Sequence, residues 1–270
     1  EYRRQRQMCI RDRANIGKMQ NQGWDLSVNY RLKTGAFTHN FNFNLGDSWN
    51  KVLEFPGDEQ ITQVEELSRI IRVGVPLNSY YGYKMAGFFQ SYDEIEASAI
   101  PVGAKVQPGD IKFVDRNDDG IIDSKDKFIL GNAFPRYTFG FTYGLNWKGI
   151  DFSMFWQGVG KRDMMLRGEL IEPYHANYSY TIYKHQLDFW TPTNTEARWP
   201  RLAAPGSDSN RNNYGNGNGS DLFLLDGKYL RLKNLTIGYT LPKEWTKHLG
   251  MQKARLYINC LLYTSDAADD

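Results

Sequence analysis

Twelve consecutive residues carry the sharpest chemical signal in the chain. The run Asp115-Arg116-Asn117-Asp118-Asp119-Gly120-Ile121-Ile122-Asp123-Ser124-Lys125-Asp126 follows the register of a twelve-position calcium loop. Side-chain oxygens fall at positions 1, 3, 5, 9 and 12 (Asp115, Asn117, Asp119, Asp123 and Asp126). Gly120 takes position 6, where the chain must turn sharply, and Ile121 at position 7 would offer its backbone carbonyl. The spacing has a physical cause. A hard dication takes about six to eight oxygens at about 2.3–2.6 Å, and alternating residues of a tightly wound loop point the same way. Asp126 stands where a Glu would reach further, so the affinity expected is weaker than that of a cytosolic sensor. The preceding segment, Gly109 to Val114, reads as extended rather than helical. Structural Ca2+ that stiffens a long loop is therefore the expected cofactor, and an acidic Asx-rich turn that binds nothing is the plain alternative.

Other chemistry is sparse. His39, His175, His185 and His248 have no zinc spacing. Adjacent acids such as Asp93 and Glu94, or Glu65 and Glu66, point opposite ways in a strand and cannot share a substrate bond, as paired glycosidase carboxylates must. No phosphate-cradling glycine loop or nucleophile elbow occurs, so no enzyme is expected. Lys+Arg 33 against Asp+Glu 31 leaves no field for nucleic acid. For solute contact, the segment 160–228 is rich in aromatic rings. Tyr174, Tyr178, Trp190 and Trp199 are the candidates there, since ring faces suit sugars or peptide side chains. Packing the loop against its neighbours is the alternative for each ring. Asp163, Arg167, Glu169 and Glu172 could hydrogen-bond a polar solute, although such charges usually form a solvated face.

The elements that hold these loops show a period of two. Trp24, Leu26, Val28, Tyr30 and Leu32 share one face, opposed by Asp25, Ser27, Asn29 and Arg31. After a short turn at Lys33-Thr34-Gly35, Phe37, Phe41, Phe43 and Leu45 alternate with Thr38, Asn40, Asn42 and Asn44, with His39 interrupting the apolar side. A second pair runs through Tyr137, Phe139, Phe141, Tyr143, Leu145 and Trp147, then past Lys148-Gly149 into Phe152, Met154 and Trp156. A weaker third pair has Leu235, Ile237, Tyr239 and Leu241, then Leu256 and Ile258. Pairs are joined by compact links and separated by the long segments 46–136 and 160–228. Short turns on one side and long loops on the other are the connectivity of a transmembrane β-barrel, whose strands cross with about 9–11 residues. A β-sandwich with one buried face gives the same alternation. The polar faces, rich in Asn, Thr, Gly and Ser, and apolar faces of Phe, Tyr and Trp favour lipid. Aromatics at 14% beside 25 Gly fit strands and large turns better than a helical bundle. Glu65 to Val75 reads as a helical turn or a short strand outside the barrel, and Asp208 to Ser220 as a flexible loop tip.

Both cysteines, Cys9 and Cys260, lie near the ends. The segments 1–13 and 260–270 resemble translated sequencing-library adapter, a contaminant of assembled metagenomic reads, and are set aside from the fold. Residues 14–259 remain as one partial barrel.

The run Gly109-Asp110-Ile111-Lys112-Phe113-Val114-Asp115, then Asn117-Asp118-Asp119-Gly120-Ile121-Ile122-Asp123 and Leu130-Gly131-Asn132, resembles the signature of SusC/RagA-type TonB-linked outer-membrane proteins. Asn15-Ile16-Gly17 with Asn21-Gln22-Gly23-Trp24-Asp25 is similar to the family's strand entry, with Asp25 in place of Glu. Val73-Gly74-Val75-Pro76, Tyr81-Gly82-Tyr83-Lys84, Gly87-Phe88-Phe89-Gln90 and Tyr229-Leu230-Arg231-Leu232-Lys233-Asn234-Leu235-Thr236-Ile237-Gly238-Tyr239-Thr240-Leu241-Pro242 match in family order. The resemblance implies an all-β fold: an incomplete piece of an antiparallel transmembrane β-barrel, about 22-stranded in the family, with long extracellular loops. It implies import of oligosaccharides or peptides across the Gram-negative outer membrane, contact with outer-membrane lipid, and a SusD-like lipoprotein lid. It also implies energy from the TonB complex, acting through an N-terminal plug that this stretch does not include, and final strands after Asn259 that are likewise absent. A secreted, calcium-stabilised β-sandwich that binds glycans is the alternative.

Overall fold

The computed structural model describes residues 17–57, 59–64, 67–168, 170–173, 182–215, 219–248 and 250–261. In chain order the strands are β1 (Lys18–Thr34), β2 (Phe37–Glu54), β3 (Glu59–Val64), β4 (Leu67–Arg72), β5 (Ser79–Gly82) and β6 (Met85–Phe88). There follow β7 (Ile100–Pro101), β8 (Ile111–Phe113), β9 (Ile121–Ile122), β10 (Phe128–Gly131), β11 (Arg136–Trp147), β12 (Ile150–Lys161) and β13 (Asp163–Met165). The last three are β14 (Leu224–Asp226), β15 (Tyr229–Thr240) and β16 (Arg255–Leu261). Among the described residues three short α-helices interrupt them: α1 (Tyr92–Glu96), α2 (Asp208–Tyr214) and α3 (Lys243–His248).

Six strands form one antiparallel sheet in the order β1, β2, β11, β12, β15, β16. The expected pairs β1/β2, β11/β12 and β15/β16 are therefore neighbours in a single wall. At Lys148-Gly149 both residues have positive φ (46° and 89°), the conformation of the type I′ turn that matches strand twist, and glycine adopts it without steric penalty. The strands β1 and β2 run 17 and 18 residues, longer than alternation alone indicates. The upper part of β2 is held by another partner: Val52 N–H donates to Val75 O (3.0 Å) and Gly74 N–H to Val52 O (2.9 Å).

Pairing aligns the alternation of all six strands into rows. One row joins Val28, Phe43, Phe141, Trp156 and Leu232; the next joins Tyr30, Phe41, Tyr143, Met154 and Leu235. The opposite face carries Ser27, Asn44, Gly140, Gln157 and Arg231 in one row, with Phe155 an apolar exception in the next. A sandwich would bury the apolar rows under a second sheet. Here they stand open, with Leu26 47%, Tyr30 57% and Ile258 79% exposed. His39 does not break its row, because Nδ1 lies 2.9 Å from the Tyr143 hydroxyl and the ring stacks on Phe41.

The protein's cores lie in the long connections instead. β10, β5, β4 and β3 make a small sheet, so 67–72 is a strand and Glu65 and Glu66 lie outside the described residues. One hydrophobic cluster joins Tyr83, Phe88, Ile111, Phe113 and Ile122 from the first connection to Trp190 and Ala197 from the second. Another joins Tyr80 to Met165, Trp199, Tyr214 and Phe223. The two long loops thus fold on each other into one unit at the end of the wall opposite the tight turns.

Candidate functional site

Two surfaces and one loop carry the function-bearing groups. The first surface is the apolar face of the wall. Strands β11 and β12 are 12 residues each. At a rise of about 3.3 Å they extend about 40 Å, which at a tilt of about 45° is about 28 Å of height, close to the apolar band of a membrane barrel. Next to the loop unit the band ends in an ion pair. Asp47, directly opposite Trp24 in β1, takes the Arg136 guanidinium on both oxygens, and the Tyr137 N–H also donates to Asp47 (3.3 Å). The guanidinium lies 5.2 Å from the centre of the Trp49 ring and 5.4 Å from that of Tyr137. Charges, Trp and Tyr at the margin of an apolar band are what an interfacial girdle requires, since each ring is half wet.

The second surface is the opposite face, where amide and hydroxyl side chains satisfy one another across strands. Ser27 donates to Asn44 (2.8 Å), Asn44 to Asn42 (2.7 Å) and Asn42 to Asn29. Small and polar side chains of this kind line a wet lumen without competing for lipid.

The acidic loop 115–126 is wound as its glycine demands, with Gly120 at φ 80° and its N–H donating to Asp115 Oδ2 (2.8 Å). Asn117 Nδ2 donates to Asp119 Oδ2 (2.8 Å), and Ile121 N–H donates to Asp119 Oδ1 (3.0 Å). The other end of the loop is held differently. Asp126 is fully buried, and its two oxygens accept the N–H groups of Arg116 (2.9 Å) and Asp123 (2.8 Å). Asp123 caps the short turn that follows by accepting from the Lys125 N–H (2.7 Å). Among the described residues no three acidic, His or Cys side chains converge on one point. The Asp115 end fits a cation: Asp115 Oδ1 is buried and has no hydrogen-bond donor. Asp126 is a brace for the loop before it is a ligand. Nearby, burial pushes the Tyr83 phenol up to about 12, and the charges of Asp126 and Asp123 add to that shift. The Lys127 ammonium, 5.1 Å from the Tyr83 ring, is lowered by burial.

The aromatic candidates divide. Tyr174 and Tyr178 lie outside the described residues, as does Glu169. Trp190 and Trp199 are core residues, 8% and 4% exposed, one in each cluster. Their indole N–H groups donate inward, to Gln90 Oε1 (3.1 Å) and to His185 O (3.3 Å). Both rings are built into the packing of the loop unit, the alternative to solute contact for each ring. Arg167 and Glu172, read from sequence as exposed, form a buried ion pair with side chains 2% and 0% exposed. Arg167 also donates to Tyr214 O (2.9 Å), and its guanidinium lies over Phe223. Asp163 holds the Asn132 N–H (3.0 Å).

One cluster had no sequence signal beyond the family signature. Asp110 is fully buried between the two loops. Its Oδ2 accepts from the Gln107 N–H (2.8 Å) and the Ser209 hydroxyl (2.7 Å), and its Oδ1 from Asn213 Nδ2 (3.1 Å). Asn213 Oδ1 in turn accepts the Ile111 N–H (2.8 Å). The tract read as a flexible tip is therefore helix α2 over Asp208–Tyr214, with Asn210, Asn212 and Asn213 buried; residues 216–218 lie outside the described residues. Polar side chains tolerate this burial because partners in the other loop satisfy them. Burial raises the Asp110 carboxyl above its ordinary value despite these hydrogen bonds, which pull the other way.

An antiparallel wall with an uncovered apolar face, a polar reverse face, tight turns at one end and a folded loop unit at the other defines a piece of a membrane β-barrel. The comparisons with known proteins agree. The chain is 32% identical over 262 residues to TonB-dependent receptor P3 of Formosa agariphila, covering 93% of this chain and 25% of that protein. It is 28% identical over 243 residues to TonB-dependent receptor SusC of Bacteroides thetaiotaomicron, covering 86% and 21% respectively. The solved structure of the RagAB peptide transporter matches at a TM-score of 0.66 with 19% identity, over 92% of this chain and 26% of that one. No family profile matches the sequence. The chain is thus similar over most of its own length to TonB-dependent receptors, SusC among them, and it spans about a quarter of the length of the curated relatives it matches.

Proposed function

We propose that this chain is part of the wall and extracellular loops of an outer-membrane transporter of Gram-negative bacteria. The transporter imports oligosaccharides or peptides, with a SusD-like lipoprotein closing over its mouth and the TonB complex supplying energy through a plug. The observation that carries this reading is the uncovered apolar face, which has no stable place in water. The names of the relatives support it: SusC for the receptor, and RagAB for a peptide transporter. The loop unit lies at the end of the wall away from the tight turns and has two hydrophobic clusters of its own, which supports its reading as a folded surface for a lid. The test uses the complete receptor gene in its host. Deleting it should abolish uptake of one solute class, and the protein should fractionate with the outer membrane. Undiminished uptake of every oligosaccharide and peptide class offered would refute the reading.

The acidic loop is proposed to hold structural Ca2+ at its Asp115 end, through Asp115, Asn117, Asp119 and the Ile121 carbonyl, with Asp123 and Asp126 bracing the far side. The donorless buried Asp115 oxygen supports this. Labelled calcium should bind the receptor saturably and Asp115→Asn should weaken it; equal binding by both proteins would remove the site.

A further inference from the structure

Outside the acidic loop and the wall, the loop unit contains a cleft of about 440 Å3 between residues 105–107 and 201–211. Its lining is unusually cationic for a chain whose charges nearly cancel: Lys105, Arg201 and Arg211 against Asp208 alone. Arg211 is already engaged, pairing with Asp208 and donating to Gly206 O (2.7 Å). Arg201 and Lys105 are the cations left facing the cleft.

Arg201 is held in place from below. Its backbone N–H donates to Gly109 O (2.8 Å) and its guanidinium to Gln107 Oε1. Gln107 is fixed in turn by its N–H to buried Asp110 (2.8 Å). A guanidinium has five N–H donors, and the contact with Gln107 takes one of them. The rest form a planar fork of the kind that meets a carboxylate or sulfate on two oxygens at once. Asp110 feels the Arg201 charge, but its oxygens accept from Gln107, Ser209 and Asn213 inside the unit and no hydrogen bond joins it to the guanidinium. Lys105 makes no ion pair among the described residues and is exposed. Ala203 and Ala204 are small residues of the same lining. A guanidinium held by Gln107 and an exposed ammonium line one cleft, and the held guanidinium can meet an oxyanion with little loss of side-chain freedom, while the lysine must be ordered on binding.

We propose that this cleft is an oxyanion subsite, in which a carboxylate or sulfate group of the solute binds between Arg201 and Lys105. The inference rests on the transporter reading for its solute, but its test does not. Equilibrium dialysis of radiolabelled inorganic sulfate against the detergent-solubilised full receptor at low salt measures the site directly. Saturable binding is expected, reduced about tenfold or more in Arg201→Gln by loss of charge-assisted hydrogen bonds and several-fold in Lys105→Gln. A remote exposed cation, changed in Lys228→Gln, should leave it unaltered. Lys105 is exposed and makes no ion pair among the described residues, so its variant remains informative if the Arg201 variant folds poorly. Displacement of sulfate by glucuronate or N-acetylglutamate assigns the group to a carboxylate-bearing sugar or peptide; resistance to both assigns it to a sulfated solute. No saturable sulfate binding by the native receptor, or equal binding by native protein and both variants, overturns the subsite. Loss of solute uptake on gene deletion is a separate readout, and its absence would refute the transporter reading without touching the dialysis result.

Discussion

Substituting Phe141 by Arg tests the two-faced wall most directly. Phe141 lies in β11 between Phe43 and Trp156, four residues along β2 from the Asp47 row that closes the apolar band. Four residues at about 3.3 Å place it about 13 Å along the strand from that margin, within the hydrocarbon rather than at its edge. A cationic side chain near the midplane of a barrel's lipid face costs about 2–4 kcal/mol, which is a factor of about 30 to 900 in the folding equilibrium. The neighbouring Thr142 points to the other face, opposite Asn42 and Phe155, so Thr142→Arg should fold almost as the native protein does. The assay is urea titration of the complete receptor in lipid vesicles, with the folded fraction read from heat-modifiable gel migration. Equal destabilisation by the two variants, or none by Phe141→Arg, would refute the assignment of faces.

Other outcomes follow from the loop unit. Gly109 has φ 90°, and an added Cβ would meet the Trp190 ring at 2.3 Å; Gly109→Ala should combine backbone strain of about 1–3 kcal/mol with overpacking of about 1–3 kcal/mol. Limited proteolysis of the folded receptor should then cut the loops much faster while the wall stays intact. Because burial raises the Asp110 carboxyl, the folded loop unit binds its proton more tightly than the unfolded chain does. That contribution to stability is complete below the ordinary aspartate value of 3.8 and is lost as pH rises through the raised one. Protease resistance of the loops should fall across that window, and Asp110→Asn should flatten the dependence; an unchanged profile would exclude Asp110 as its source. Arg167→Met leaves the Glu172 carboxylate buried and should cost about 3–5 kcal/mol, with Glu172→Gln in the same protein recovering part of it. Hydrogen exchange across 167–173 measures both, and equal exchange in the native and single-variant proteins would mean that the pair stabilises nothing.

Much of the wall is legible in the chain. The rows through Leu26, Phe43, Phe141 and Phe152 appear as period-two alternation, and the turn at Lys148-Gly149 appears as residue type, because both are properties of a few consecutive residues. The pairs β1/β2, β11/β12 and β15/β16 are also indicated, since compact links join them, whereas the β2/β11 and β12/β15 pairings across the long connections are not. The full lengths of β1 and β2 are not legible, because their upper parts lose alternation; that of β1 is held by β2, and that of β2 also by the loop segment carrying Val75.

The loops were misread for the opposite reason. Nothing within Asp208 to Tyr214 distinguishes a solvated Asn-rich tip from a buried helix, since partners about a hundred residues away decide it: Asp110 and Ile111 for Ser209, Asn212 and Asn213. The same holds for Trp190 and Trp199, whose rings close cores with Tyr83 and Tyr80, and for Arg167 and Glu172, which escape water only because Tyr214 and Phe223 cover them. The sequence by itself determined which faces of the strands are greasy and where the acidic loop turns, for these are set by local spacing. Tertiary structure alone decided which polar and aromatic loop residues are hidden, for burial of a polar group is stable only when a distant segment supplies its hydrogen bonds.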